Sequence, residues 1–214
     1  MKITEPDVTL TDFLLAAECI TLAWLLTGPA ANPMLQTWFI LAFLSIGISA
    51  LLGGVLHGFL NQPGSTAHQR IWRGILILLG ATALTMWVIA TRIIFGEAAS
   101  LYLGVVAGLA LLGYATVVVM THPPFSLALA YYVPAALYLL VAFGVAAFQS
   151  ADWKLLSGTG GMALSLLAAW IQHKRIGLHQ RFFNHNALYH VVQAIALVLI
   201  YWAARELIRT PPIS

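Results

Sequence analysis

Three of the ionisable side chains inside the long apolar stretches of this sequence could form one site. His57 lies near the end of the second apolar stretch, His190 lies one turn into the last, and Glu18 lies within the first. An ionisable group at the centre of a membrane helix costs about 2.5–3.5 kcal/mol, so it indicates a functional site once a partner can be named. We expect all three in one half of the membrane, because the first and last stretches begin on the side where the second ends.

The residues around His57 leave room for a neighbouring helix. Ala50, Gly53 and Gly54 precede His57 at helical spacing, so the four residues share a face that carries no bulky side chain. Small residues let two membrane helices approach closely. Another helix is therefore expected to pack against this face.

The last apolar stretch carries a polar stripe. Asn186 and His190 are four residues apart and face the same way, and Gln193 and Tyr201 follow on about the same stripe. His185 can join His190 only if it precedes the helix and folds inward, because it lies about 140° away on a regular helix.

Imidazole and carboxylate groups at this depth suit a transition metal, zinc above all. Zinc accepts neutral imidazole ligands, keeps a position open for water, and lowers the pKa of that water to about 7. Near the headgroups, such a site would meet an ester or amide of an acyl lipid, and a carboxylate would move the proton. The predicted metal ligands are His57, His190 and His185, the predicted catalytic carboxylate is Glu18, and the predicted supporting or substrate contacts are Asn186, Gln193, His68 and Tyr201.

A purely structural role is the alternative for this cluster. A hydrogen bond such as Glu18 to His57 would hold two helices together, which contributes about 0.6–2 kcal/mol in a membrane.

The composition indicates what kind of protein positions these residues. Of 214 residues, 61% are hydrophobic and 8% are charged, and the mean hydropathy is +0.89. Soluble domains carry about 25% charged residues. The composition excludes a nucleic-acid binder, a disordered chain and a coiled coil, and the single Cys19 excludes an intrachain disulfide scaffold. We therefore predict a multi-pass membrane protein whose partner is membrane lipid, with no nucleic acid and no protein partner indicated.

Seven apolar stretches reach the roughly 20 residues that a helix needs to cross a membrane. They predict an all-α, seven-helix transmembrane bundle, with residues 1–214 forming one domain. The first stretch contains Asp12 and Glu18 and lacks a basic start, so we interpret it as a retained helix and not as a signal peptide. The predicted spans are 10–28, 35–60, 71–95, 99–120, 125–149, 155–172 and 187–206.

Basic residues predict the orientation. Cytoplasmic loops of membrane proteins carry more Lys and Arg than loops on the other side. The count favours a cytoplasmic N-terminus and an outside C-terminus. On the N-terminal side lie Lys2, Arg70, Arg73, Lys174, Arg175 and Arg181, against Arg92, Lys154, Arg205 and Arg209 on the other.

Two short segments resemble a known superfamily. GGVLHGF, which contains His57, and NHNALYHVVQA, which contains His190, resemble the signatures of the seven-helix superfamily of alkaline ceramidases, progestin and adiponectin receptors with hemolysin-III proteins, and Per1 proteins. Its pattern is Ser-x3-His and then Asp around helix two, and His-x3-His in helix seven. Gly53 stands at the Ser position, Asn186 stands at the first His of the pair, and no Asp follows His57.

The resemblance implies a zinc-dependent hydrolase of acyl lipids such as ceramide-like amides or esters. His185 or His68 would then supply the missing nitrogen, and Glu18 the missing carboxylate. Two other functions remain open: a non-catalytic lipid-binding or receptor-like protein, and a haem protein with His57 and His190 as axial ligands. The glycine-rich segment Ser157–Gly161 resembles a phosphate loop but is interpreted as a packing face of small residues.

Overall fold

The computed structural model describes residues 3–121, 123–179 and 183–210. In these ranges the chain forms long α-helices joined by short connections, as the sequence predicts. Lys2 and Arg181, which entered the charge comparison, lie outside the described residues. The helices are α1 (Pro6–Leu25), α2 (Pro33–Phe59), α3 (Thr66–Met120), α4 (Phe125–Ser150), α5 (Leu156–His173) and α6 (His185–Arg209), with a 3-10 turn at Trp153–Leu155 before α5.

Polar caps and prolines fix where the helices begin. Pro6 and Pro33 occupy the first positions of α1 and α2, where a missing backbone N–H costs nothing. Ser65 caps α3 by accepting a hydrogen bond from the His68 backbone N–H, and Asn184 caps α6 by accepting from Asn186 and Ala187.

Six helices in the described residues are long and apolar enough to cross a membrane. The sequence predicts seven spans, but residues 71–95 and 99–120 both fall within α3, which is 55 residues long. Gly96 interrupts α3 with φ 81° and ψ −164°, a conformation that glycine adopts readily. The two halves of α3 fold back against each other, since the Tyr114 hydroxyl donates to the Leu76 carbonyl at 3.1 Å.

The helices pack in chain order, and α6 returns to contact α1, which closes the bundle. The turn between α1 and α2 also meets the end of α6, where the Ile208 carbonyl accepts from the N–H groups of Ala31 and Asn32. Phe39, Phe43 and Phe143 are buried in the core. The outer surface carries exposed apolar side chains, among them Trp24, Tyr102 and Phe148, as expected of a membrane protein.

The predicted packing faces of small residues are confirmed. A Cβ on Gly54 would lie 2.7 Å from the Phe13 ring, so α1 packs directly on this face of α2. A Cβ on Gly161 would lie 2.7 Å from the Ala196 carbonyl oxygen, so the glycine-rich segment packs against α6.

Candidate functional site

A cavity of about 440 Å³ opens at the end of the bundle where α1 and α6 begin and α2 and α5 end. Both apolar and polar side chains line it, so it offers both kinds of contact to one ligand. Its apolar side chains include Leu15, Ile46, Trp72, Ile75, Leu79 and Phe125, and its polar ones include Asp12, His57, Gln172, His173, Arg175, His185, Asn186 and His190.

The deepest polar feature of this cavity is a pair formed by Asp12 of α1 and His190 of α6. The His190 Nε2 lies 3.1 Å from the Asp12 Oδ1. Asp12 is only 3% exposed and His190 only 8%, so water solvates neither group well. A buried pair of this kind is costly to break, because the remaining partner is left without compensation.

Gly53 of α2 makes the position of Asp12 possible. A Cβ on Gly53 would lie 2.9 Å from the Asp12 Oδ1 and 3.1 Å from its Oδ2. Distances of this size overlap the van der Waals radii, so any larger residue at position 53 would displace the carboxyl group. The carboxyl group of α1 thus fills the space that a side chain at position 53 would otherwise take.

Thr11 holds the other edge of the His190 ring. Its Oγ1 lies 3.0 Å from the His190 Nδ1 and also within 3.0 Å of the Asp7 and Val8 carbonyl oxygens. Both ring nitrogens of His190 are therefore engaged. Without rearrangement, His190 has no free nitrogen with which to remove a proton from water.

His57 lies nearer the mouth of the cavity and has a separate carboxylate partner. Its Nδ1 lies 3.0 Å from the Glu5 Oε2, and the Asn61 Nδ2 donates to the Glu5 Oε1 at 2.7 Å. The His57 and Glu5 side chains are 26% and 31% exposed. This outer pair is consequently far more hydrated than the Asp12–His190 pair.

Two buried acceptors of the cavity lining have no hydrogen-bond partner among the described residues. One is the Gln172 Oε1, and the other, next to His190, is the Asp12 Oδ2. A buried polar atom without a partner costs about 1–3 kcal/mol, and more when it is charged. A ligand that donates a hydrogen bond to the Asp12 Oδ2 would recover that free energy.

The structure brings four of the predicted site residues, namely His57, His185, His190 and Asn186, to the cavity. It does not bring the other four. Gln193 is buried and donates to the Ser165 hydroxyl, and Tyr201 belongs to the apolar core. The His68 Nδ1 lies 2.7 Å from the Leu60 carbonyl oxygen. Glu18 lies beyond the lining of the cavity, and its buried Oε1 has no hydrogen-bond partner in the part of the chain that the structure describes.

Sequence reasoning missed Asp12 as the carboxylate that reaches the histidines. The small-residue face of α2 was a usable signal, because Gly53 predicts close approach of a helix and Asp12 belongs to the preceding one. Thr11 and Glu5 were also missed, and neither carries a distinctive spacing.

The described donors are not arranged as the zinc site that the resemblance implies. Zinc requires ligand nitrogens at about 2.0–2.1 Å, but the His190 Nε2 faces the Asp12 Oδ1 and the His57 Nδ1 faces Glu5. Within residues 3–121, 123–179 and 183–210, no three His, Cys, Asp or Glu side chains are grouped so that they could hold a metal ion. The engaged nitrogens of His190 leave none free for a haem iron either.

A sequence model of one protein family matches residues 8–209, which include every helix apart from the first two residues of α1. The chain belongs to the DUF6962 family of unknown function. No curated protein and no solved structure matches it. For this DUF6962 protein, the cavity and its Asp12–His190 pair are therefore the direct basis for a functional proposal.

Proposed function

We propose that this protein binds an acyl lipid in the cavity, with the lipid's polar group against Asp12 and its chain against the apolar side chains of the lining. The observation that carries the proposal is the buried Asp12 Oδ2, which lacks a partner in the described residues although Asp12 lines a cavity of about 440 Å³. Ligand pockets of about 300–1,000 Å³ with a few convergent polar groups are typical of small-molecule sites.

The chemistry of the free acceptor selects the ligand. A carboxyl oxygen without a donor favours a ligand that carries a hydroxyl or amide N–H group, as ceramide-like amides do. Hydrogen bonds to charged groups contribute about 1.5–3 kcal/mol, which corresponds to roughly 10–150-fold in affinity. Apolar residues such as Leu15 and Ile75 would contact the acyl chain.

A binding measurement tests this proposal. The full chain is reconstituted in phosphatidylcholine nanodiscs and titrated with a fluorescent short-chain ceramide. We expect saturable binding that Asp12→Asn weakens by at least tenfold. The reason is that asparagine can place its NH2 group, which donates but does not accept a hydrogen bond, at the position of the Asp12 Oδ2. Glu18→Gln is the matched control, since it also removes a carboxylate from α1 but lies outside the cavity lining, and it should bind as the wild type does. Equal binding by wild type and Asp12→Asn would contradict the proposal.

Hydrolysis of the bound lipid is a second candidate function. The observation that favours it is that His57 and His185 line the same cavity, so histidines other than the doubly held His190 face the bound lipid. The resemblance to the ceramidase superfamily supports it. Its test is the release of fatty acid from ceramide by the wild type, together with elemental analysis. About one zinc per chain, lost in His57→Ala, would favour hydrolysis over binding alone.

We also propose that the bundle crosses the membrane seven times, with a cytoplasmic N-terminus. At a rise of 1.5 Å per residue, an α3 of 55 residues would be about 80 Å long, far more than the roughly 30 Å core of a bilayer. The break at Gly96 and the contact of Tyr114 with Leu76 support two crossings within α3. Seven crossings would place the two termini on opposite sides.

A further inference from the structure

A second cavity lies at the other end of the bundle, where α6 ends and α5 begins. Its volume is about 290 Å³. It is separate from the histidine cavity, since the two have no lining residue in common. Its lining residues are Trp153, Lys154, Ser157, Trp202, Arg205, Glu206 and Arg209.

The charge of this second cavity is strongly positive. Three of its lining residues are cationic and one, Glu206, is acidic. The Lys154 Nζ lies 3.3 Å from the Glu206 Oε2, so this acid is already paired. Arg205 and Arg209 are exposed, and in the described part of the chain neither has a carboxylate partner. Two guanidinium groups thus remain available for an anion.

The two arginines lie on one stripe of α6 with an exposed tryptophan. Trp202 precedes Arg205 by three residues and Arg209 by seven, so the three side chains share a helix face. Trp202 is 61% exposed, and Trp153 on the opposite wall is 77% exposed. Exposed tryptophans of membrane proteins are enriched at the level of the lipid headgroups.

The order of the tryptophan and the arginines along α6 matches the order of the acyl chains and the phosphate in a phospholipid. Trp202 lies about 10 Å nearer the middle of the bundle than Arg209, at 1.5 Å per residue. A phosphate at the arginine level would therefore leave the glycerol and upper acyl chains beside the indole rings. Arginine suits this role because its planar donors bind phosphate oxygens in pairs.

We infer that this cavity is a binding site for the phosphate group of an anionic phospholipid, held by Arg205 and Arg209 between Trp153 and Trp202. Lys154 is held by Glu206 and contributes charge from the rim. Two nearby polar groups already have partners. The Ser157 hydroxyl donates to backbone carbonyls, and the Asp152 carboxylate accepts from the Lys154 backbone N–H.

Lipid retention measures this site directly. The full chain is purified from membranes containing phosphatidylglycerol and phosphatidylcholine, and native mass spectrometry counts the lipids that remain bound. We expect phosphatidylglycerol to be retained at least fivefold over phosphatidylcholine. The double variant Arg205→Gln/Arg209→Gln should lose that preference, and near-ultraviolet circular dichroism checks its fold.

Two further variants are measured in the same lipid-retention experiment. Arg70→Gln is the matched control, because Arg70 is an exposed arginine at the start of α3, at the opposite end of the bundle. It should retain phosphatidylglycerol as the wild type does. Arg209→Gln alone, at the last position of α6, should reduce retention without affecting the fold. Retention unchanged in the double variant, no preference over phosphatidylcholine, or displacement of the lipid by millimolar inorganic phosphate would overturn the assignment.

Discussion

Adding one methyl group at Gly53 tests how closely α1 and α2 hold the Asp12 carboxyl group. In Gly53→Ala the new Cβ would lie 2.9 Å from the Asp12 Oδ1 and 3.1 Å from the Oδ2. The carboxyl group is itself fixed by the His190 Nε2 at 3.1 Å, so it cannot move without losing that partner. Overpacking of this kind costs about 1–3 kcal/mol of unfolding free energy.

This loss of unfolding free energy can be converted into a change in Tm. For chains of 150–250 residues, 1 kcal/mol shifts Tm by about 2–4 °C, so Gly53→Ala should lower Tm by roughly 2–12 °C. The assay is thermal unfolding in nanodiscs, followed by near-ultraviolet circular dichroism. Gly108→Ala is the control, because a Cβ added there would have no atom within 4 Å apart from its chain neighbours and its own helix backbone. Alanine also favours helices by about 1 kcal/mol over glycine. That variant should match or exceed the wild-type Tm.

A double-mutant cycle isolates the contact with Asp12. In the Asp12→Ala background the carboxyl group is gone, so a methyl group at position 53 should cost little. The two substitutions should therefore be coupled by at least about 1 kcal/mol, as expected for residues in contact. If Gly53→Ala lowers Tm equally in both backgrounds, the close approach between Gly53 and Asp12 described above is refuted.

Three further predictions concern packing, metal and topology. Gly161→Ala should lower Tm more than Gly108→Ala in the same unfolding assay, because its Cβ would meet the backbone oxygen of Ala196 at 2.7 Å. A strong chelator should leave Tm unchanged, since Asp12 and Thr11 already occupy the ring nitrogens of His190; a fall of several degrees would show a stabilising metal. Cysteine labels placed at the two termini should react from opposite sides of intact vesicles, and labelling from one side only would contradict seven crossings.

The fold was largely predictable, because hydropathy and helix-breaking residues can be read from each segment of the sequence by itself. Apolar length predicted membrane helices, and the gap between the predicted spans 71–95 and 99–120 predicted a break in the chain there. The structure agrees: Gly96 is non-helical, and the two halves of α3 on either side of it fold back against each other. Arg92 of the first half donates to Glu97 of the second and to Asn32 of the α1–α2 turn, and these tertiary contacts cannot be derived from hydropathy.

The site was predictable only in part, because the position of a residue along its helix and the direction that its side chain faces around the helix are different quantities. Depth along the helix singled out His57 and His190 and placed them at one end, where both line the cavity. Depth alone also favoured Glu18. Asp12 and Glu18 are about 120° apart around α1, so the rotation of that helix decides which carboxylate reaches His190. Rotation depends on packing against α2, which a single sequence does not report.

The distance in sequence between the two halves of the site affects how the protein is made. Thr11 and His190 are 179 positions apart, so the first helix enters the membrane long before the ribosome has produced the last. Throughout that interval the Asp12 carboxyl group lies in the bilayer without its imidazole. A nascent chain stalled before α6 would carry an uncompensated acid among its apolar helices, a feature that a quality-control protease or insertion chaperone could recognise.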